Sequence, residues 1–503
     1  MESLGEKPWD VVICGTGLQQ SLLALALSRS KKRVLHTDPN DYYGQHEAAL
    51  TLQDAESFAA KYAASTSTSS SEGGEGEEKK QSVLRNATVW KPDDAEAQGL
   101  KFPRAYSLAL APQIIHTKSK LLSSLVSSRA YRQVEFLAVG SFFVYEPAKD
   151  GSVPKLSRIP SSREDVFSSQ SIPARSKRSL MKFLKFVLDF ESDDQKPLWE
   201  GQADAPLADF LTAQFKLDDD LKRYVVALTL ALDGKVSVAS GLAAINRHLT
   251  SIGMFGPGFC AVYPKWGGLS EIAQVACRAG AVGGGIYMLD TTATMKPSVD
   301  NEKVSLQLSN DDTVEANSLI TGQETTVATK VISRLVAVVK SPLKPLFQVL
   351  VEGSPPPAVA VVAVSSAPSP IYALIHSSDT GECPVGQCVI YLTTLSTVNS
   401  KHELEQALSM LVNAVEGDES ASPCLYQLYY EQAYGDKAST TENLGATPNL
   451  SFPPLSATLA FEDSDLEAVK AAWGLVLGDE ADEETYLVFE DREGADAEDE
   501  VYE

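Results

Sequence analysis

Residues Trp9–Gly44 read WDVVICGTGLQQSLLALALSRSKKRVLHTDPNDYYG, and the fold is decided here. Asp10-Val11-Val12-Ile13-Cys14 reads as a buried parallel strand, and Gly15-Thr16-Gly17 as a tight turn. Leu18 to Arg29 follows as a helix, with Leu22, Leu23, Leu25 and Ala26 expected to face the sheet. Arg33 to Thr37 forms a second strand that ends at Asp38. An acidic residue about 20 positions beyond paired glycines, after strand, turn and helix, is the opening unit of an α/β dinucleotide-binding (Rossmann-type) fold, where the acid would hold a ribose. The fingerprint is incomplete, because the third glycine of G-x-G-x-x-G is replaced by Gln20. The glycines let phosphate approach backbone N–H groups at the helix N-terminus. Gln19 and Gln20 put bulk there instead, so Gly15, Gly17 and Asp38 read as vestigial and no cofactor is expected.

The totals narrow the function. A chain of 503 residues has length for two to four domains. The net charge of −24 argues against nucleic acid and against electrostatic binding to anionic lipid, and suits basic protein partners or plain solubility. The six cysteines are scattered without a C-x-x-C pair, so neither a zinc site nor a disulfide framework is expected and a reducing compartment fits. The first residues, MESLGEKPWD, lack a signal-peptide core, and no apolar stretch is long enough to span a bilayer. The final Val-Tyr-Glu is not a C-a-a-X box, so the chain is not expected to be prenylated itself.

Beyond Gly44 a polar helix is expected at Gln53–Ala64. Residues 65–80, STSTSSSEGGEGEEKK, have the composition of a disordered insert. A helix at Lys118–Ser127 and a strand at Val134–Val144 follow. Ser176–Glu191, SKRSLMKFLKFVLDFE, is a strong helix, with Leu180, Phe183, Leu184, Val187 and Leu188 on one face. Met181, Phe186 and Phe190 add apolar surface outside that face. A helix apolar nearly all round is either central to a bundle or lines an apolar cavity. With helices at Leu207–Phe215, Leu221–Leu232 and Val238–Ser251, residues 160–245 read as an all-helical domain inserted into the α/β frame.

The frame resumes with FGPGFCAVYPKWGGLSEIAQVACRAGAVGGGIYMLD. Gly267-Gly268 leads into a helix at Leu269–Ala279, and Gly283-Gly284-Gly285 turns into a strand at Ile286–Asp290. Strands are expected at Val304–Leu308, Val327–Ile332, Leu335–Val339, Ala358–Val364, Ile371–Ile375 and Gln387–Thr394, and helices at His402–Val415 and Asp465–Leu475. The acidic stretch 479–503 reads as a disordered tail. No catalytic constellation is visible: there is no G-x-S-x-G and no Walker A, and none of the six histidines is spaced for a metal. Binding is favoured over catalysis.

Two segments carry a family resemblance. The GTGL turn and helix followed by KRVLHTDPNDYYG, and KWGGLSEIAQVACRAGAVGGGIYM, resemble the Rab GDP-dissociation inhibitor and Rab escort protein superfamily. Ala105–Pro112 and Cys383-Pro384-x-Gly386 before Val389-Ile390-Tyr391 are similar to further family segments. The resemblance implies an FAD-binding-like fold that works without flavin, over 1–159 and 246–478, with the helical domain at 160–245. It implies a Rab-binding platform of Tyr43, Glu271, Arg278, Ile286 and Met288. Ile286 takes the position where inhibitors have Thr and animal escort proteins have Ile, whereas Gly280 departs from the inhibitors' Ser. The plain reading of the same residues is a glycine-shaped turn and a solvated arginine.

The implied partner is a GDP-bound Rab GTPase. Its tail would cross an apolar patch near Leu121, Leu122 and Leu125, and its geranylgeranyl lipid would shelter by Phe183, Leu184 and Val187. An escort protein also docks the Rab geranylgeranyltransferase heterodimer, for which Phe210 and Arg223 are the candidate residues; Phe210 reads equally as core. The insert, the acidic extension, the total length and Ile286 favour a non-catalytic, cytoplasmic escort protein with transient membrane contact, acting in protein prenylation and vesicle-mediated transport. The alternatives are a dissociation inhibitor that recycles prenylated Rabs and, further off, a flavin oxidoreductase.

Overall fold

A computed structural model of the chain describes residues 4–5, 7–64, 81–148, 153–160, 163–168, 172–296, 303–323, 325–326, 330–364, 369–417, 424–434, 440–444, 447–454 and 456–490. The expected insert at 65–80 lies outside the described residues.

The opening unit forms as read: β1 (Val11–Cys14), α1 (Leu18–Leu27) and β2 (Val34–Thr37). β1 lies parallel to β2, with Val11 opposite Val34 and Ile13 opposite His36. These two strands are central in a six-stranded sheet ordered Ile286–Met288, β2, β1, Leu319–Gly322, Thr447–Phe452, Thr440–Leu444. Alternation along the strands divides the side chains between two cores. Val11, Ile13 and Val34 join a helical core, whereas Val12 and Leu35 pack with Trp9 and the strands Val304–Leu308 and Thr313–Ala316. Every residue of α1 is buried, not one face alone. Helices Leu269–Val282 and Ser464–Leu477 flank it on either side and cover what the sheet leaves open.

A second, ten-stranded sheet is ordered Leu84–Trp90, Cys424–Tyr434, Lys330–Val339, Cys388–Leu395, Ile371–Ser377, Val359–Val364, Phe136–Glu146, Ala261–Pro264, Ile115–His116, with Lys155–Arg158 paired to Phe136–Glu146. One face carries helix Ser400–Glu416 through Leu404, Leu408 and Leu411. The other faces the helical unit: Ala174–Leu188, Leu207–Phe215, Asp219–Ala227 and Val238–Ser251. The last two of these helices begin where the chain supplies side-chain caps. The Asp218 carboxylate accepts from Leu221 N at 2.9 Å, and Ser237 Oγ from Ser240 N at 3.3 Å. Asn246 Nδ2 donates to Val187 O at 2.8 Å and ties the last helix to the first. That last helix spans Val238–Ser251, the bounds expected of it, so the domain end expected at 245 falls inside it.

Two expectations are corrected. The strands expected at 327–332 and Leu335–Val339 are joined, over the described residues, into one strand, Lys330–Val339; residues 327–329 lie outside the described residues. The polar pair between them is held inside the sheet: Ser333 Oγ is 3.1 Å from Tyr429 Oη, and Arg334 Nε donates to Gln432 Oε1 at 3.2 Å. The tail expected to be disordered from 479 is ordered to Glu490. Leu487 and Phe489 are buried, Phe489 N donates to Ser127 O at 3.0 Å, and the Arg29 guanidinium lies over the Phe489 ring. Burial of these apolar side chains outweighs the acidic composition around them. Residues 491–503 lie outside the described residues.

Candidate functional site

The crevice at the carboxyl ends of β1 and β2 is where a dinucleotide would bind in this fold. It is filled by the chain itself. Glu47 presents Oε2 to the Leu18 backbone N–H at 3.0 Å, in the first turn of α1. Gln20 Nε2 donates to Gln45 Oε1 at 3.2 Å. Gly15 has φ of 96°, and a β-carbon there would come within 2.1 Å of Gln45 Nε2. Burial pushes the Glu47 carboxyl up to about 8, so at neutral pH it is predominantly protonated and still accepts from Leu18.

Asp38, the expected ribose ligand, is fully engaged. Its Oδ2 accepts from Thr16 N at 2.6 Å and Thr16 Oγ1 at 2.7 Å, and its Oδ1 from Asn40 N at 2.8 Å and Asn40 Nδ2 at 3.0 Å. Thr16 Oγ1 in turn accepts from Gly44 N at 3.0 Å. Asp38 therefore fixes the loop that carries Tyr43 instead of offering itself to a sugar. Residues Gln20, Gln45 and Glu47 occupy the positions a pyrophosphate needs, and the chain does not fit a flavin dinucleotide.

Beside this filled crevice lie the residues expected to form the platform. Glu271 and Arg278 are seven residues apart on helix Leu269–Val282, which puts them on one face. Arg278 is exposed and acts electrostatically on both Glu271 and Tyr43, so the three share one neighbourhood. Burial raises the Glu271 carboxyl above its ordinary range, and the Arg278 charge works the other way. Ile286 and Met288 sit on the adjoining strand, opposite Leu35 and Thr37 of β2. Ile286 is exposed, whereas Met288 packs partly into the core beneath. Gly280 is buried under Tyr287, and a β-carbon there would lie 2.1 Å from the Tyr287 hydroxyl. A serine at this position would press on that hydroxyl, the far end of the Tyr287 side chain.

Leu122 and Leu125, on helix Lys120–Ser127, line an apolar cavity of about 660 Å³ together with Val126, Tyr131, Phe136 and Phe259. Leu121, from the same expected patch, is fully buried beneath it. In the helical unit Phe183 and Val187 are fully buried and Leu184 is half-buried. Phe183 meets Phe215 at 5.3 Å between ring centroids, and Phe186 meets the same ring at 5.1 Å. Phe210 joins this cluster, 5.8 Å from Phe215, and is only 1% exposed. A docking anchor must present its ring to solvent, so the reading of Phe210 as a surface aromatic is corrected to core. Arg223 is half-exposed and ion-paired to Asp220.

Sequence spacing gave no sign of one further convergence. His116, His248 and Cys260 come from three separate elements and bring their donor atoms within 4.8 Å of one another, all buried. Burial holds His248 down at about 4 and His116 well below its ordinary value, and pushes the Cys260 thiol up to about 12. Among the described residues, no helix is long and apolar enough to cross a membrane.

The fold is that of an FAD-binding-like α/β protein whose crevice is filled by its own side chains. The chain belongs to the GDP dissociation inhibitor family, whose model matches residues 5–75 and 76–418. Among curated relatives it is 34% identical over 282 residues to the Rab proteins geranylgeranyltransferase component A of Saccharomyces cerevisiae, covering 56% of this chain and 43% of that protein. It is 29% identical over 425 residues to the protein of the same name from Candida albicans, covering 80% of this chain and 62% of the relative. The chain thus spans less than two thirds of the length of either. Among solved structures, the Rab GDI of Plasmodium falciparum superposes with a TM-score of 0.64 at 18% identity, covering 94% of this chain and 98% of that one. An oxidoreductase from Methanosarcina mazei shares the fold at a TM-score of 0.55 and 12% identity, covering 92% and 99%.

Proposed function

We propose that the protein is a Rab escort protein. It binds newly made GDP-bound Rab GTPases, presents them to the Rab geranylgeranyltransferase heterodimer and delivers the prenylated product to membranes. The observation that carries this reading is the crevice filled by Glu47, Gln45 and Gln20 beside a platform of Tyr43, Glu271 and Arg278. Such a site binds a protein surface and has no place for a redox cofactor. The protein is accordingly a non-catalytic accessory component, cytoplasmic and only transiently on membranes. The names of the yeast relatives favour escort over recycling.

In this reading the globular Rab rests on the platform, with Ile286 and Met288 extending the contact along the strand. Its C-terminal tail crosses the apolar cavity at Leu122 and Leu125, above Leu121. The lipid shelters at the helix bearing Phe183, Leu184 and Val187, where a chain must part the aromatic cluster to enter. Each buried CH₂ contributes about 0.8 kcal/mol, so a 20-carbon geranylgeranyl group has enough to offset much of its partition into a bilayer.

The test is a reconstituted prenylation assay with Rab, transferase and geranylgeranyl diphosphate. The protein should be required for geranylgeranyl transfer. A protein that binds and extracts prenylated Rab but never supports transfer would be a dissociation inhibitor. A stoichiometric flavin absorbance after purification would overturn both readings.

A further inference from the structure

We propose that His116, His248 and Cys260 form a binding site for one thiophilic d10 cation, Cu⁺ or Zn²⁺, at the seam between the large sheet and the helical unit. The three residues are brought together by the fold. His116 ends the strand Ile115–His116, Cys260 directly precedes the strand Ala261–Pro264, and Ala261 pairs with His116 across the sheet. His248 reaches the same point from the helix Val238–Ser251.

The donor atoms all lie within 4.8 Å of one another. Around one ion at bond lengths of about 2.0–2.3 Å, donors stand about 3.3–4 Å apart, so small side-chain shifts close the site. Cys260 Sγ is already 3.5 Å from His248 Nδ1.

Two independent observations point to a ligand. His116 is 2% exposed, yet neither of its ring nitrogens has a hydrogen-bond partner. A buried imidazole bonded at neither nitrogen is an exception that calls for an ion or a water. His248 and Cys260, with Phe142 and Gly258 but without His116, border a cavity of about 30 Å³, the room one such particle needs. That cavity shares Gly140, Ser141, Ile252 and Phe259 with an open groove of about 650 Å³, which supplies a way in.

Two imidazoles and a thiolate select thiophilic ions over Mg²⁺ or Ca²⁺. Binding exchanges the thiol proton for the metal: the S–H bond breaks, the S–metal bond forms, and H⁺ leaves to solvent without any electron transfer. Charge then chooses between the two ions. Arg247 is adjacent to His248, and its Nε is buried without a partner. A thiolate with Cu⁺ sums to zero beside that arginine. A thiolate with Zn²⁺ leaves a positive charge unless hydroxide takes a fourth position. The geometry therefore points to Cu⁺ first.

The experiment uses the full chain, reduced and metal-free. Cu⁺ is titrated anaerobically against bathocuproine disulfonate, and Zn²⁺ against 4-(2-pyridylazo)resorcinol. One Cu⁺ per chain is expected, weakened at least a hundredfold by Cys260→Ala and unchanged by Cys383→Ala, a buried thiol elsewhere. One equivalent of Zn²⁺ instead would support the site and reverse the charge argument. No stoichiometric ion in the wild type, or undiminished affinity in a folded Cys260→Ala variant, overturns the proposal. Should Cys260→Ala fail to fold, X-ray absorption on the loaded wild type decides. One sulfur and two nitrogen scatterers are expected, and two or more sulfurs overturn it.

Discussion

The carboxyl oxygen Oε2 of Glu47 lies 3.0 Å from the backbone nitrogen of Leu18 and accepts its hydrogen bond. The N-terminus of a helix after a glycine turn is a site for phosphate. Here a side chain 29 residues further along the same chain stands in for it.

This substitution has a pH signature. The folded carboxyl is raised from its ordinary 4.5 to about 8, chiefly by burial. A raised folded value stabilises fully below the unfolded value and loses that contribution as pH climbs to the folded one. Wild-type stability relative to Glu47→Gln should therefore fall between about pH 5 and pH 8, by an amount on the order of a few kcal/mol. Thermal melts of both proteins across that range check it, and parallel pH profiles would refute the assignment.

Arg278→Glu should weaken Rab binding. It reverses an exposed charge beside Glu271 and leaves two carboxylates facing each other. A loss of about 2 kcal/mol or more is expected when an interfacial partner is left unpaired. Circular dichroism should be unchanged. Equal affinity of wild type and variant in titration calorimetry would remove the platform from this helix.

Val126 borders the apolar cavity and is 50% exposed, so Val126→Glu should fold normally. If the Rab tail crosses here, affinity for intact Rab should drop about tenfold, about 1.4 kcal/mol. Affinity for a Rab lacking its tail should not move. Equal losses for both would place the tail elsewhere.

Phe210 and Arg223 should now separate. Truncating a ring buried among Phe186 and Phe215 costs about 3–5 kcal/mol, so Phe210→Ala should lower the melting temperature substantially and report on the core. Arg223→Glu touches only a half-exposed ion pair with Asp220 and should leave the melting temperature within a few degrees. In the prenylation assay it should reduce transfer while Rab binding persists. Full activity of the Arg223→Glu protein would remove that residue from the transferase contact.

Local pattern made part of this molecule legible. Strong apolar runs such as Val11–Cys14 and Val304–Leu308 match the strands they form. The helix at Ala174–Leu188 shows its periodicity openly. What escaped depends on partners distant in sequence. Ser333 and Arg334 read as a break because their partners, Tyr429 and Gln432, lie about a hundred residues on. Acid-rich composition hid Leu487 and Phe489, whose burial is decided by α1 and by helix Lys120–Ser127. Gln19 and Gln20 were legible as bulk where the third glycine would stand, but not the residues that meet them. Gln45 and Glu47 carried no signal, since a glutamate after a turn is ordinary until the fold brings it to Leu18.

The close approach of Gly280 to Tyr287 couples what each of the two positions can hold. A side chain at 280 would lie 2.1 Å from a phenol oxygen already in place. A larger residue at 280 therefore requires the Tyr287 hydroxyl, at the far end of its side chain, to shift. A Gly280→Ser exchange copied from the inhibitors would be felt first at that phenol, whose buried hydroxyl has no hydrogen-bond partner.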